Sequence, residues 1–290
     1  MPLTKIKTGI IADGQITPSK LDVAKNDGTG ATRLPNGTTA QRPVSPTSGM
    51  LRFNSTTNYL EYYGTEWSSI ASTGIVTSSL ILHLDPTTYT AGASTWTDSI
   101  ASIPFTVNNN TATTKPSQYI IDDSSGSTYF RYNSNWAPAQ FGTNPFTLEM
   151  WIYLNTTNYT SWRYLGGKST FWDANSFGLY ISDTGTAVGF HTTSTNGVQV
   201  SLSTIGTGWK HITAVRHSGG RRLYINGSQY ASDSVVDSVT STAGLSFGCD
   251  QNGGYSDATY KFGNYRMYSK ALNDQEVQQN FSYERSRFGV

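Results

Sequence analysis

From about residue 76 onward, apolar and polar positions alternate in short runs separated by Gly, Asn, Asp and Ser. "SLILHLD" places Leu80, Leu82 and Leu84 on one face of an extended segment. "PFTLEMWIYLN" is the strongest run, with Phe146, Leu148, Met150, Ile152 and Leu154 to one side and Thr147, Glu149, Trp151 and Tyr153 to the other. "FGLYIS" adds Phe177, Leu179 and Ile181. "WKHITAVRH" and "RRLYINGSQY", joined by Ser218, Gly219 and Gly220, read as a hairpin. "GLSFG" and "YKFGNYRMYS" close the series, Leu245 and Phe247 of the former being expected on opposite faces. Many short strands at close spacing predict an all-β fold, an antiparallel β-sandwich of the jelly-roll kind. One helix interrupts the pattern near the end. Asn273 with Glu276 forms a capping-box arrangement, and Val277 and Phe281, four apart, face one way.

The N-terminal quarter reads differently. Residues 1–37 are polar with scattered Ile6, Ile10, Ile11, Ile16 and Leu21, and Gly9, Gly14 and Pro18 rule out a long helix. An extended arm is expected there. Residues 38–75 hold a small β-meander: "GMLRFN", "YLEYYG" and "TEWSSI". Leu51 and Phe53 share one face, Tyr59, Glu61 and Tyr63 another. Three short strands bury too little apolar surface to stand alone, so this piece leans on something. Residues 76–290 are then the sandwich with its short C-terminal helix.

Composition narrows the function classes. Charged residues are only 13% of the 290-residue chain and aromatics reach 13%, so the chain is neither disordered nor built on charge. A net charge of +1 gives no footprint for nucleic acid. No apolar run has transmembrane length, which argues against membrane insertion, and no signal peptide is visible. Cys249 stands alone, which excludes an internal disulfide and suits a small buried side chain.

Three landmarks carry a resemblance: "LDPTTYTAGASTWTDS" (84–99), "NPFTLEMWIYL" (144–154) and "FGNYRMYSKALNDQEVQQNF" (262–281). Together they resemble the laminin-G-like, concanavalin A-like sandwich of bacteriophage structural proteins. "GTTAQRPVSPTSGMLRFNSTTNYLEYYGTEW" (37–67) is similar to a segment of phage tail-fibre and other virion proteins, and residues 6–22 resemble N-terminal segments of the same proteins. The resemblance implies a virion appendage, made in the host cytoplasm and released by lysis, and such appendages are commonly homotrimers. Three copies of the meander would then share a core of Leu51, Phe53, Tyr59, Tyr62, Tyr63 and Trp67. The arm would bind other tail or capsid proteins, and the sandwich would face a host-surface glycan or protein. A capsid-decorating or head-fibre protein without adhesive role, and a free carbohydrate-binding or glycosidase module, are the alternatives.

Candidate chemistry is sparse. Ser246 in "GLSFG" fits G-x-S-x-G, yet a loop rather than a helix follows, so a nucleophile is not expected. Glycosidases of related sandwiches need two carboxylates on one strand. Glu149 stands alone, and the adjacent Asp122 and Asp123 would face opposite sides of a strand. The expectation is therefore no enzymatic activity and no required cofactor. Calcium is the one ion the loops suit, through oxygens of Asp85, Asp98, Asp250, Asn252 and Asp257. The same residue types also sit in turns for conformational reasons. His83, His191, His211 and His217 show no metal-ligand spacing. Aromatics in "NTTNYTSWRYLGGKSTFWDANS" offer Trp162, Tyr164 and Trp172 as faces for a glycan or receptor, with subunit packing and core burial as the competing roles.

Overall fold

The computed structural model describes residues 25–26, 32–56, 59–70, 74–108, 113–115, 119–121, 128–169, 173–182, 184–192, 197–254 and 261–290. Most of the expected arm, together with Asp122, Asp123, Trp172 and Asp257, lies outside them. The chain divides into two compact units, residues 1–72 and 73–290.

The first unit holds a four-stranded sheet of β1 (Asn36–Gly37), β2 (Leu51–Asn54), β3 (Tyr59–Tyr63) and β4 (Trp67–Ser69). Register fixes its faces, because directly opposed residues share a side. Arg52 opposes Glu61, Asn54 opposes Tyr59 and Tyr63 opposes Trp67. Leu51 opposes Tyr62 and Phe53 opposes Leu60 on the other side. The covered side is the polar one. Glu61 is fully buried, takes hydrogen bonds from Arg42 Nη2 at 2.6 Å and Asn54 Nδ2 at 2.9 Å, and lies 3.4 Å from Arg52 Nη1. Burial alone would raise its pKa; the Arg42 and Asn54 hydrogen bonds outweigh that and lower it. Tyr63 and Trp67 pack on each other at 5.4 Å, with both guanidinium groups over the indole. The set expected to meet across subunits is thus split. Tyr59, Tyr63 and Trp67 share the polar face of their own chain's sheet, while Leu51 and Phe53 share the opposite face with Leu60 and Tyr62. On that face Leu51, Leu60 and Tyr62 remain 40%, 37% and 45% exposed.

The second unit stacks two eight-stranded antiparallel sheets, as the alternation predicts. Its strands in chain order are β5 (Leu80–Leu84), β6 (Thr95–Thr97), β7 (Pro104–Asn108), β8 (Thr113–Lys115), β9 (Tyr119–Ile121) and β10 (Tyr129–Tyr132). There follow β11 (Phe146–Leu154), β12 (Arg163–Lys168), β13 (Phe177–Ile181), β14 (Ala187–Thr192) and β15 (Val198–Ser201). After one helical turn, α1 (Leu202–Ile205), come β16 (Gly208–His217), β17 (Gly220–Ile225), β18 (Ser228–Asp233), β19 (Leu245–Phe247) and β20 (Lys261–Tyr268). The first sheet runs β8-β9-β20-β11-β16-β17-β18, with β5 also pairing with β20; the second runs β15-β14-β13-β12-β19-β10-β7-β6.

The core lies between the sheets. Phe146, Leu148, Met150, Ile152 and Leu154 of β11 enter it together with Leu82, Leu84, Phe105, Phe177, Leu179 and Ile181. Each large apolar side chain so buried contributes about 1.5–3 kcal/mol. Leu245 and Phe247 both join this core, correcting the expectation of opposite faces: a strand repeats every two residues, so they share a side and Ser246 takes the other. Ser246 sits mid-sheet, flanked by β10 and β12, which removes it as a nucleophile elbow. Cys249 is buried, and burial pushes its thiol pKa up.

The C-terminal helix α2 (Asp274–Phe288) forms where the capping box predicts it. Asn273 Oδ1 accepts from Glu276 N at 3.0 Å, and Glu276 Oε2 accepts from Asn273 N at 3.1 Å. Gly289, in the left-handed region at φ 70°, ends it. Val277 and Phe281 are buried. The helix lies over the outer face of the first sheet, where Trp151 packs against Phe281 and Phe288.

Candidate functional site

The expected glycan aromatics separate. Tyr164, on β12, is fully buried and donates its hydroxyl to the Phe177 carbonyl at 2.8 Å, so it presents no face for stacking. The reason lies in a neighbouring strand. A Cβ on Gly178 would meet the Tyr164 hydroxyl at 2.1 Å, so only glycine there lets the ring lie flat across β13. Tyr180 does the same over Gly189. Trp162 is half-buried and rests on Tyr180 at 5.4 Å between centroids. The Tyr180 hydroxyl accepts from Gln199 Nε2 at 2.8 Å and from Gly197 N at 3.2 Å. A half-buried indole resting on a tyrosine whose hydroxyl is held by Gln199 therefore stands on the outer face of the second sheet.

Of the expected calcium carboxylates, Asp85, Asp98 and Asp250 lie among the described residues, and each is engaged locally. Asp85 N-caps a short turn by accepting from Thr87 N, and forms a two-pronged pair with Arg287 at 2.7 and 2.9 Å. Asp98 accepts from the amides of His83 and Ala101. Asp250 accepts from the amides of Asn252 and Gly254. These oxygens are taken up by loop conformation and by an arginine, and no cluster of three candidate metal ligands exists among the described residues.

Unforeseen by pattern, the outer face of the first sheet carries a polar row beneath α2. Register sets His83 of β5 beside Arg266 of β20, Arg266 beside Glu149 of β11, and Glu149 beside Thr213 of β16. Arg266 bonds Glu149 and grips Glu284 of the helix with both terminal nitrogens. Trp151 Nε1 donates to Glu284 at 2.9 Å, and Asn280 Nδ2 donates to Glu149 at 2.6 Å and to the Tyr268 hydroxyl at 3.0 Å. Asn280 Oδ1 accepts from Val76 N at 2.7 Å, tying residue 76 to the helix. Burial alone would raise the Glu149 pKa, but His211 and Arg266 outweigh it and bring the value down to about 2. Burial would lower the Arg266 pKa; Glu284 and Glu149 drive it upward instead.

At the β5 end of this row the surface opens into a cleft of about 560 Å³, lined by Gly74, Ile75, Thr77, His83, Asp85, Arg266, Tyr283, Glu284 and Arg287. Burial first, then the nearby Arg266 charge, lowers the His83 pKa to about 4, so its ring is neutral at pH 7. Burial would raise the Asp85 carboxyl; hydrogen bonds from Arg287 and Thr87 hold it far below the usual range. The sequence holds one trace of this site. His83, Glu149 and Arg266 each interrupt an apolar stretch at a back-face position, but nothing local says that the three strands lie side by side.

Comparison with known proteins places the sandwich. The laminin-G model of the concanavalin A-like lectin/glucanases superfamily matches residues 125–278, just over half of the chain. No curated protein matches it. Among solved structures, Trypanosoma rangeli sialidase with 2,3-difluorosialic acid, a covalent intermediate, aligns at TM-score 0.53 and 15% identity, covering 74% of this chain and 35% of that one. The botulinum neurotoxin serotype D/C binding domain aligns at 0.51 and 15%, covering 70% and 51%. A botulinum neurotoxin DC binding domain in complex with rat synaptotagmin II aligns at 0.51 and 14%, again covering 70% and 51%. The chain thus spans about a third of the sialidase and about half of the toxin domain.

These matches correct the expectation of no enzymatic activity. The superfamily joins lectins with glucanases and an enzyme is among the matched structures, so a missing strand-borne carboxylate pair does not exclude catalysis on this fold. Two stacked antiparallel sheets, a helix closing one outer face and a family model spanning more than half its length have one reading: the chain belongs to the concanavalin A-like lectin/glucanase superfamily.

Proposed function

We propose that this chain is a glycan-recognition module of a tailed-phage particle, a trimeric tail fibre whose sandwich is turned toward the host surface. The recognition half rests on one observation: the half-buried Trp162 indole held over Tyr180, on a fold whose superfamily joins lectins and glucanases. A sugar's C–H face stacks on such a ring. Two structures of similar fold support a sugar partner: the T. rangeli sialidase in complex with sialic acid and a botulinum neurotoxin DC binding domain in complex with SialylT.

The particle half rests on the resemblance of residues 6–22 and 37–67 to virion segments. The trimer is supported by the open apolar face of Leu51, Phe53, Leu60 and Tyr62, a surface that self-association would cover. In this reading the arm joins tail or capsid proteins, and three linked copies multiply weak contacts.

A glycan array probed with the full chain and with Trp162→Ala, followed by assay of sugar release, tests the recognition half. Binding weakened about tenfold or more in the variant is expected. An array on which the full chain retains no glycan and releases no sugar overturns it. The native mass of the full chain tests the particle half, and a stable monomer would sink the fibre.

A further inference from the structure

The cleft at the β5 end of α2 lies beside the first sheet, whereas the Trp162 ledge stands on the second, and nothing above gives it a role. Its volume of about 560 Å³ lies within the range of about 300–1,000 Å³ usual for small-molecule sites. Its walls are preorganised. Arg266 is held from below by Glu149 and from the side by Glu284, and Arg287 is held by Asp85. Segment 74–77 is fixed by two bonds from the helix: Asn280 Oδ1 accepts from Val76 N, and Gln279 Nε2 donates to the Gly74 carbonyl at 3.0 Å.

Charge balance selects the ligand class. Two arginines and two carboxylates line the cleft, already joined as Arg266–Glu284 and Arg287–Asp85. A charged ligand would have to break one of these pairs or enter without a counter-charge, and either is costly in a partly desolvated site. A neutral polyhydroxylated ligand breaks nothing and adds hydrogen bonds to the remaining lone pairs. One point for a hydroxyl is already marked. His83 Nε2 is buried without a hydrogen-bond partner, and Asp85 Oδ2 lies 3.9 Å from it. A hydroxyl oxygen at about 2.8 Å from each atom bridges that gap. Tyr283, half-exposed at the rim, supplies a ring for the apolar face of the same ligand.

We propose that this cleft is a second ligand site, which takes one neutral, hydroxyl-rich unit of the size of a hexose and excludes anionic sugars. The proposal rests on the lectin reading and adds to it a separate site with its own selectivity.

The test uses the full chain with histidine rings and tryptophan indoles isotopically labelled, titrated at pH 7 with neutral methyl hexosides and, separately, with N-acetylneuraminic acid. Saturable shifts of the His83 ring by a neutral hexoside are expected, with no response to the acid. Tyr283→Ala, and Thr77→Trp as a plug, should each weaken that response about tenfold. If neutral hexosides move only the Trp162 indole, the cleft falls and the lectin reading stands. If only the acid moves the His83 ring, the assigned class is wrong. If no sugar moves either resonance and the array is also blank, the cleft and the lectin reading fall together.

Discussion

In the small N-terminal sheet Glu61 is buried against Arg42 and Arg52; in the sandwich Glu149 and Glu284 are buried against Arg266. The chemistry is the same and the settings are opposite. Behind Glu149 lies a thick apolar core, and in front of it a helix anchored by Trp151, Phe281 and Phe288. Behind Glu61 lies a face of Leu51, Leu60 and Tyr62 that stays open. In the sandwich the ion pairs fix where the helix sits on a fold that apolar burial already holds. In the small sheet the ion pair is the most buried feature, and the apolar side is the one left over. A buried ion pair is weak evidence of stability, so the small sheet rests far less on apolar burial than the sandwich does.

The sharpest way to break this contrast is to delete one carboxylate from each region. Glu149→Ala leaves Arg266 short of one partner under the helix and should cost about 3–5 kcal/mol in urea unfolding followed by tryptophan fluorescence. Glu61→Ala should cost less, about 1–3 kcal/mol, because Arg42 can return to water. Its effect should be confined to the first unit, seen as faster proteolysis within residues 38–70. Equal losses in the one transition would mean that the two regions do not differ as described.

Acid sharpens the same comparison. His83 is held neutral, its pKa about 4 against an ordinary 6.5. The unfolded chain therefore takes up the proton first as pH falls. Stability is complete above pH 6.5 and declines by roughly 3 kcal/mol as pH drops to about 4. Glu149, lowered to about 2 from 4.5, adds a second loss between those values. The sandwich transition should follow this profile, and His83→Asn should flatten its upper part while leaving the lower one. A profile unchanged by that substitution would remove His83 from the account.

The smallest effect on stability belongs to the open face. Leu60→Ser with Tyr62→Ser should move the unfolding of a single chain's first unit, read at dilution where chains are separate, by only about 0.5 kcal/mol per site, as exposed substitutions do. On the proposed trimer, the native mass should nevertheless fall toward one chain. A large loss of stability with unchanged mass would show that the face is already covered within the chain.

Much of the sandwich was legible because its signals are local. Alternation along Phe146–Leu154 named the core side of β11, and Asn273 with Glu276 marked the start of α2 to the residue. The site was less legible. Trp162 and Tyr164 are two residues apart in one aromatic loop-rich stretch, yet one is a half-exposed ledge and the other is sealed. What separates them is Gly178 and Gly189 on other strands, which let Tyr164 and Tyr180 lie flat. In sequence the carboxylates of Asp85, Asp98 and Asp250 suit metal ligation as well as turns; the structure places Arg287 and backbone amides around them.

By itself, then, the sequence determined the elements: the period of each strand, the cap of the helix, the polar opening segment and the balance of charge. Those follow from backbone geometry and from side chains within a few positions of one another. The tertiary structure decided which back-face residues became neighbours. His83, Glu149, Arg266 and Glu284 are spread over some two hundred positions of chain; strand order sets the first three in one row, and the helix packed over that row brings Glu284 down onto Arg266. Whether a polar side chain is solvated, paired or poised for a ligand depends on the partner opposite it, and that partner is supplied by register and packing.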